Sequence, residues 1–185
     1  HTDDNHAWVE FWVDGKWHYM GACEPEPNAD LGWFTEPARR AMLVHTKSFG
    51  VPTDEENVIR KFRRYSLVNS LSRYAETGKL RVFVKDSLGK PIEGATVQFL
   101  LYNSAEFYPI AELISVSDGS ASLETGKGDL IVRAGYKGLT EASAANIARS
   151  DSVTIILKKG PQSDLFLAYD IVPPSVPEPY PAPPA

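Results

Sequence analysis

The residues with chemistry to offer gather at the start of the chain, in HTDDNHAWVEFWVDGKWHYMGACEPEP. His6 opens an aromatic run, Cys23 is the only cysteine, and Glu24 and Glu26 follow it closely. An imidazole can exchange a proton with a thiol, and the thiolate so formed is the reactive nucleophile. A histidine on an aromatic strand face is more often a packed core residue than a catalyst. Three neighbours raise the chemical reading: the run NHAWVEFW, the polar approach HTDDN and the acidic turn CEPEP.

The element that must position these residues is a β-hairpin. Asp14-Gly15 is a two-residue turn signal, because both turn positions favour positive φ. A tight turn there pairs Val13 with Lys16, Trp12 with Trp17, Glu10 with Tyr19 and Trp8 with Gly21, and it sets His6 opposite Cys23. Side chains alternate, so these even-numbered residues of the first arm share one face. The other face carries Ala7, Val9, Phe11, His18, Met20 and Ala22. Two largely apolar faces predict a covered sheet. Further on, EPARRAML predicts a short helix with Pro37 in its first turn. TDEENVIRKF has Thr53 and Glu56 at capping-box spacing and predicts a second helix. YSLVNSLSRY fits either its continuation or a strand.

With the hairpin in place, a resemblance becomes specific. NHAWVEFWVDGKWHYMGACEPEP resembles the histidine-bearing hairpin of the transglutaminase-like superfamily, whose pattern is His-x-Trp-x-Glu, a turn, a second strand with Trp, and an acidic residue. LGWFTEPARRAMLVHTKSFG is similar to bacterial members of that group. The resemblance covers residues 1 to about 50 and implies a papain-like α+β core, an antiparallel sheet with short helices, of which residues 1–75 are the later part. It makes His6 the catalytic histidine of a Cys-His-acid triad and Trp8 part of the substrate-site wall. The implied substrates are peptide or protein amides, cleaved through a thioester, with no cofactor or metal. Water resolving the thioester gives a hydrolase, and a lysine amine gives a transglutaminase.

Two departures from the family pattern matter. No cysteine precedes His6, so the nucleophile is expected from an upstream segment of the same protein, and this chain alone is expected to be inactive. Gly21 stands where the usual aspartate would be, which leaves Glu24 as the orienting acid. In a regular register Cys23 faces His6, so a bulge at Gly21–Ala22 is needed to bring Glu24 across, and glycine suits one. Glu26 and Asp30 are weaker candidates. Cys23, on a strand with no helix dipole to acidify it, reads as a buried structural cysteine. His1, Asp3, Asp4 and His6 also fit a metal cluster, and a true N-terminal histidine could chelate copper, but a lone spacing carries little weight.

From Gly78 to Lys159 the texture changes to short alternating runs separated by turn residues. Strands are expected at Leu80–Lys85, Thr96–Tyr102, Ala111–Ser117, Ala121–Glu124, Leu130–Ala134 and Ser152–Lys158, which together predict an all-β antiparallel sandwich over residues 76–160. DSLGKPIEGATVQFLLY and VSDGSASLETGKGDLIVRAGYKG resemble carboxypeptidase regulatory-like, prealbumin-like modules of extracytoplasmic bacterial proteins, which implies the fold and that location but selects no activity. Residues 161–185 hold the apolar DLFLAYDIV and the proline-rich PPSVPEPYPAPPA, a semi-extended segment.

Composition bounds the partners. A net charge of −5 and a pI near 5.4 argue against nucleic acid or an anionic membrane as the main partner. The run Arg60-Lys61-Phe62-Arg63-Arg64 reads as a solvated face. No apolar stretch reaches the ~20 residues of a membrane span. The alternative to an enzyme is a non-catalytic extracytoplasmic binding or structural protein built on the same folds.

Overall fold

The computed structural model describes residues 8–50, 57–103 and 106–160. His6, with His1, Asp3, Asp4 and Thr53 to Glu56, lies outside these residues, as does the segment 161–185. The described chain is mostly β, with one short helix.

The aromatic start forms β1 (Trp8–Val13) and β2 (Lys16–Gly21), a two-stranded antiparallel sheet. Asp14 and Gly15 take φ of 50° and 77°, so the turn bends with the strands' twist. The register is the one the turn dictates, from Val13 opposite Lys16 to Trp8 opposite Gly21. The helix α1 (Thr35–Arg39) follows, with Pro37 in its first turn and Ala38 buried. Glu36 reaches Arg39 at 2.5 Å on its exposed side.

Next come β3 (His45–Phe49), β4 (Val58–Lys61) and β5 (Tyr65–Asn69), in the sheet order β3-β5-β4. The helix expected over TDEENVIRKF is corrected here, because within its described residues 57–62 Val58–Lys61 is a strand antiparallel to β5. Val58 and Ile59 are β-branched and half-buried, Ile59 packing against the sandwich core, and this contact overrides the local helix signal. A single 3-10 turn, Leu71–Arg73, closes the first unit.

The remaining strands are β6 (Thr77–Asp86), β7 (Thr96–Asn103), β8 (Glu106–Ile114), β9 (Ser120–Gly126), β10 (Asp129–Tyr136), β11 (Leu139–Asn146) and β12 (Ser152–Leu157). They form two sheets, β12-β6-β9 and β11-β10-β7-β8. Alternate residues point inward, so Leu80, Val82 and Val84 of β6 meet Val97 and Phe99 of β7 and Val132 of β10 in one apolar core. The wholly antiparallel sandwich expected from the turn spacing needs correcting, since β12 runs parallel to β6. Strand β11, LTEASAAN, gave no sequence signal because alanine and polar residues dominate it.

The two units are joined at the end of β9 by hydrogen bonds to the Met42 and Glu124 carbonyls. Thr125 Oγ1 donates to Met42 O at 2.7 Å, Gly126 N–H donates to the same carbonyl at 3.1 Å, and Asn69 Nδ2 donates to Glu124 O at 2.6 Å. A Cβ on Gly126 would lie 2.4 Å from Ala41 O, so only glycine lets the chains approach this closely. Met42, Leu43 and Ile59 then pack on the sandwich core.

Candidate functional site

Glu10 is the hinge of the site's architecture. It lies mid-strand on the aromatic face of β1 with its side chain 5% exposed. An unpaired carboxylate there would be costly, and the fold supplies three partners. Arg73 donates to Oε2, Tyr74 donates its hydroxyl to Oε1, and Thr46 Oγ1 donates to Oε2 at 3.1 Å. Thr46 also shares a 2.6 Å hydrogen bond with Ser70. The carboxylate therefore ties β1 to β3 and to the 3-10 turn.

Aromatic rings complete the clamp. Trp8 Nε1–H donates to Tyr74 Oη at 2.8 Å, and its indole stacks on Phe34 at 4.4 Å between centroids. The Arg73 guanidinium lies 4.1 Å from the Trp17 ring, with Trp12 edge-on to Trp17 at 5.5 Å. Tyr19, buried opposite Glu10, packs against both Phe34 and Tyr74. Burial, reinforced by the hydrogen bond to Glu10, pushes the Tyr74 hydroxyl far above its ordinary pKa, so it remains a donor at any working pH.

The far arm differs from expectation. Strand β2 ends at Gly21, and residues 22–24 bend away rather than forming a bulged strand. A Cβ on Gly21 would meet Glu24 O at 2.6 Å, so the chain folds back against its own strand end and glycine is required. Cys23 is exposed, which corrects its reading as a buried structural cysteine. The burial expected from continuing the hairpin is lost because the strand stops two residues earlier. Glu24 is exposed beside that strand end. Its partnership with His6 involves a residue outside the described ones.

A histidine–carboxylate pair does form, on the other face of the hairpin. His18 Nδ1 lies 2.8 Å from Asp30 Oδ2, while Asp30 Oδ1 accepts the Tyr19 N–H at 3.1 Å. Asp30 has φ of 64° and exchanges backbone contacts with Tyr19, pinning the loop after β2. Partial burial pushes the Asp30 carboxyl up, but the Tyr19 amide, the His18 hydrogen bond and charge, and Lys16 outweigh it and hold the pKa below the usual value. Phe11 stacks on His18 at 5.7 Å. Asp30 is thus committed to His18 and to loop closure.

Sequence reasoning found the hairpin and its register. It missed Arg73, Tyr74 and the His18–Asp30 pair. The one available signal was Glu10 itself, since a carboxylate between tryptophans on an apolar face demands partners from elsewhere. Among the described residues no group of three or more His, Cys, Asp or Glu could hold a metal ion, and no helix is long and apolar enough to cross a membrane.

No protein-family model matches the chain, and no curated protein does. A solved structure it is similar to is BcpA, the major pilin subunit of Bacillus cereus, at 15% identity, with 52% of this chain and 33% of that chain covered and a TM-score of 0.36. The chain thus spans about a third of that protein's length, and a likeness at this level supports no argument about function.

Proposed function

We propose that this chain is the later section of a transglutaminase-like thiol hydrolase or acyltransferase that acts on peptide or protein amides outside the cytoplasm. In this reading a cysteine in an upstream segment loses its proton to His6. The thiolate attacks the amide carbonyl, the C–N bond breaks, and His6 returns the proton to the departing amine, leaving a thioester. Water or a lysine amine then displaces the thiolate. Glu24 holds the imidazole in its working tautomer, and Trp8 forms part of the wall beside the substrate.

The observation that supports this most is the anchoring of β1 through Glu10. His6 stands two positions before Trp8, so whatever fixes Trp8 and Glu10 limits how the histidine can be presented. A catalytic imidazole needs placement to within about 0.5 Å, and supporting hydrogen bonds and packing provide it. Arg73, Tyr74 and Phe34 hold the Trp-x-Glu part of the motif in this way.

The test is expression of the complete gene product with whatever precedes His1. Thiol labelling, ammonia release from peptide amides and amine incorporation would be measured. The expected result is a cysteine that labels rapidly, and activity that His6→Ala lowers about 100-fold or more. Chain 1–185 alone should be inactive. A complete protein with no upstream cysteine, or one whose activity ignores His6→Ala, supports the binding-module alternative instead.

A further inference from the structure

The two edges of the β1-β2 hairpin have different fates. Val13 and Lys16 close a two-residue turn as a hydrogen-bonded pair, and bonded and non-bonded pairs alternate from there. Tyr19 on β2, and Glu10 and Trp12 on β1, therefore aim their main-chain N–H and C=O away from the opposite arm. On β2 the outward groups are used: Tyr19 N–H donates to Asp30 Oδ1 at 3.1 Å, and Tyr19 O accepts the Asp30 N–H at 2.9 Å. On β1 they are open. Among the described residues nothing hydrogen-bonds to the main-chain groups of Glu10 or Trp12, and no strand other than β2 pairs with β1. Glu10 is half-buried as a residue although its side chain is 5% exposed, so the part that solvent reaches is its backbone.

This edge lacks the devices that keep strand edges apart. Lys47 on β3, the bulge ahead of Arg60 on β4 and Pro109 on β8 interrupt those edges. Strand β1 reads Trp-Val-Glu-Phe-Trp-Val in an unbroken register, and its one charge is turned inward to Arg73. Val9, Trp12 and Val13 are 47%, 60% and 43% exposed. A regular apolar strand with unused donors and acceptors is a template for another strand.

We propose that the occupant is a second copy of this chain, joined β1 to β1, antiparallel, about a twofold axis. Outward-facing residues must oppose outward-facing residues, so the axis passes through a residue rather than between two. At Glu10 it would set two acidic residues opposite each other, and at Trp12 it would set Glu10 opposite Asp14; like charges so placed disfavour pairing. At Val9 or Val13 the pairing would run beyond Trp8 or into the turn. At Phe11 none of this occurs. Glu10 then exchanges both main-chain bonds with the second copy's Trp12, and the twofold repeats the exchange. On the other side of the sheet Phe11 meets its own counterpart, and Val9 meets the second copy's Val13. Aromatic and β-branched pairs of this kind stabilise antiparallel ladders. Strand β1 is thus complementary to itself in one register. The inference does not depend on the thiol-enzyme reading.

Chain 1–185 would be followed by sedimentation velocity from about 1 to 500 µM, a range that covers weak, small interfaces. The mass should rise with concentration from 20.4 kDa toward twice that value. Val9→Lys with Val13→Lys, at two exposed positions, sets like charges opposite each other across the twofold. It should weaken association about tenfold or more and leave the thermal transition of the parent in place. The register is read in a Cys23→Ser background. There, mild oxidation should link Val9→Cys to Val13→Cys when the two variants are mixed, and neither to itself, because facing Cα atoms of such a pair lie about 4.5 Å apart. A monomer at every concentration, association indifferent to the paired lysine substitutions, or no link in the mixture overturns the proposal. So does protection of the Glu10 and Trp12 amides from exchange that is independent of concentration, which would show the edge covered within one chain.

Discussion

The two halves of this molecule are held together by different physics. In the sandwich, stability comes from a continuous apolar core in which Phe99, Leu80, Val82 and Val132 are fully buried. In the hairpin unit, large aromatic rings surround a buried carboxylate whose three donors come from β3, the 3-10 turn and the residue after it. An apolar core tolerates exchange of one hydrocarbon shape for another, whereas a buried ionic hub fixes partners and orientation. The first design suits a rigid support, and the second suits a strand that must be presented in one position.

That contrast can be broken most directly at Glu10. Glu10→Ala removes the buried carboxylate from Arg73, Tyr74 and Thr46 and should destabilise the first unit by about 3–5 kcal/mol. All four tryptophans lie between residues 8 and 33, so tryptophan fluorescence reports that unit alone. The emission transition should move to lower denaturant while amide exchange in β6, β7 and β10 stays slow. Joint loss of both signals would show that the two regions unfold as one.

Phe99→Ala is the complementary cut. It should cost about 3–4 kcal/mol by opening a cavity between the sheets, and amide exchange should accelerate across the sandwich first. The junction comes next. Gly126→Ala forces a Cβ onto Ala41 O, and a cost of about 1–3 kcal/mol is expected, with faster exchange at residues 41–44. Trp8→Phe keeps the stacking on Phe34 but loses the bond to Tyr74, so about 1 kcal/mol is expected in the fluorescence transition.

The smallest effect is set by pH. Burial against β8 holds the His45 pKa below 6.5, although the Nε2 bond to Ile110 O opposes this. A lowered folded pKa means that the neutral ring is the form the fold prefers. Its contribution is therefore present above pH 6.5 and is lost as the pH falls through the lower folded value. Protection factors at β3 and β8, taken relative to the intrinsic exchange rate at each pH, should fall on acidification, and His45→Gln should flatten that response.

Much of this was written in the chain. Asp14-Gly15 alone set the hairpin register, because a two-residue turn leaves no freedom in the pairing and alternation then assigns every face. The sandwich strands were legible wherever β-branched residues alternated. They failed at β11, whose alanines carry no such pattern; β12 was legible as a strand, but no local signal encodes its parallel pairing with β6. At the far end of the hairpin, local reasoning extended β2 through Cys23 and buried it. The tertiary structure stops the strand at Gly21 and exposes the thiol.

The sequence by itself determined which residue types could do chemistry, the turn that pairs them and the alternation that places Trp8, Glu10 and Trp12 on one face, since these depend on neighbours along the chain. Only the tertiary structure decided that Glu10 is met by Arg73 and Tyr74 from more than sixty positions away, and that Asp30 belongs to His18. Partners across such separations are chosen by packing and by the cost of burying a charge alone, and no short window of sequence carries that information.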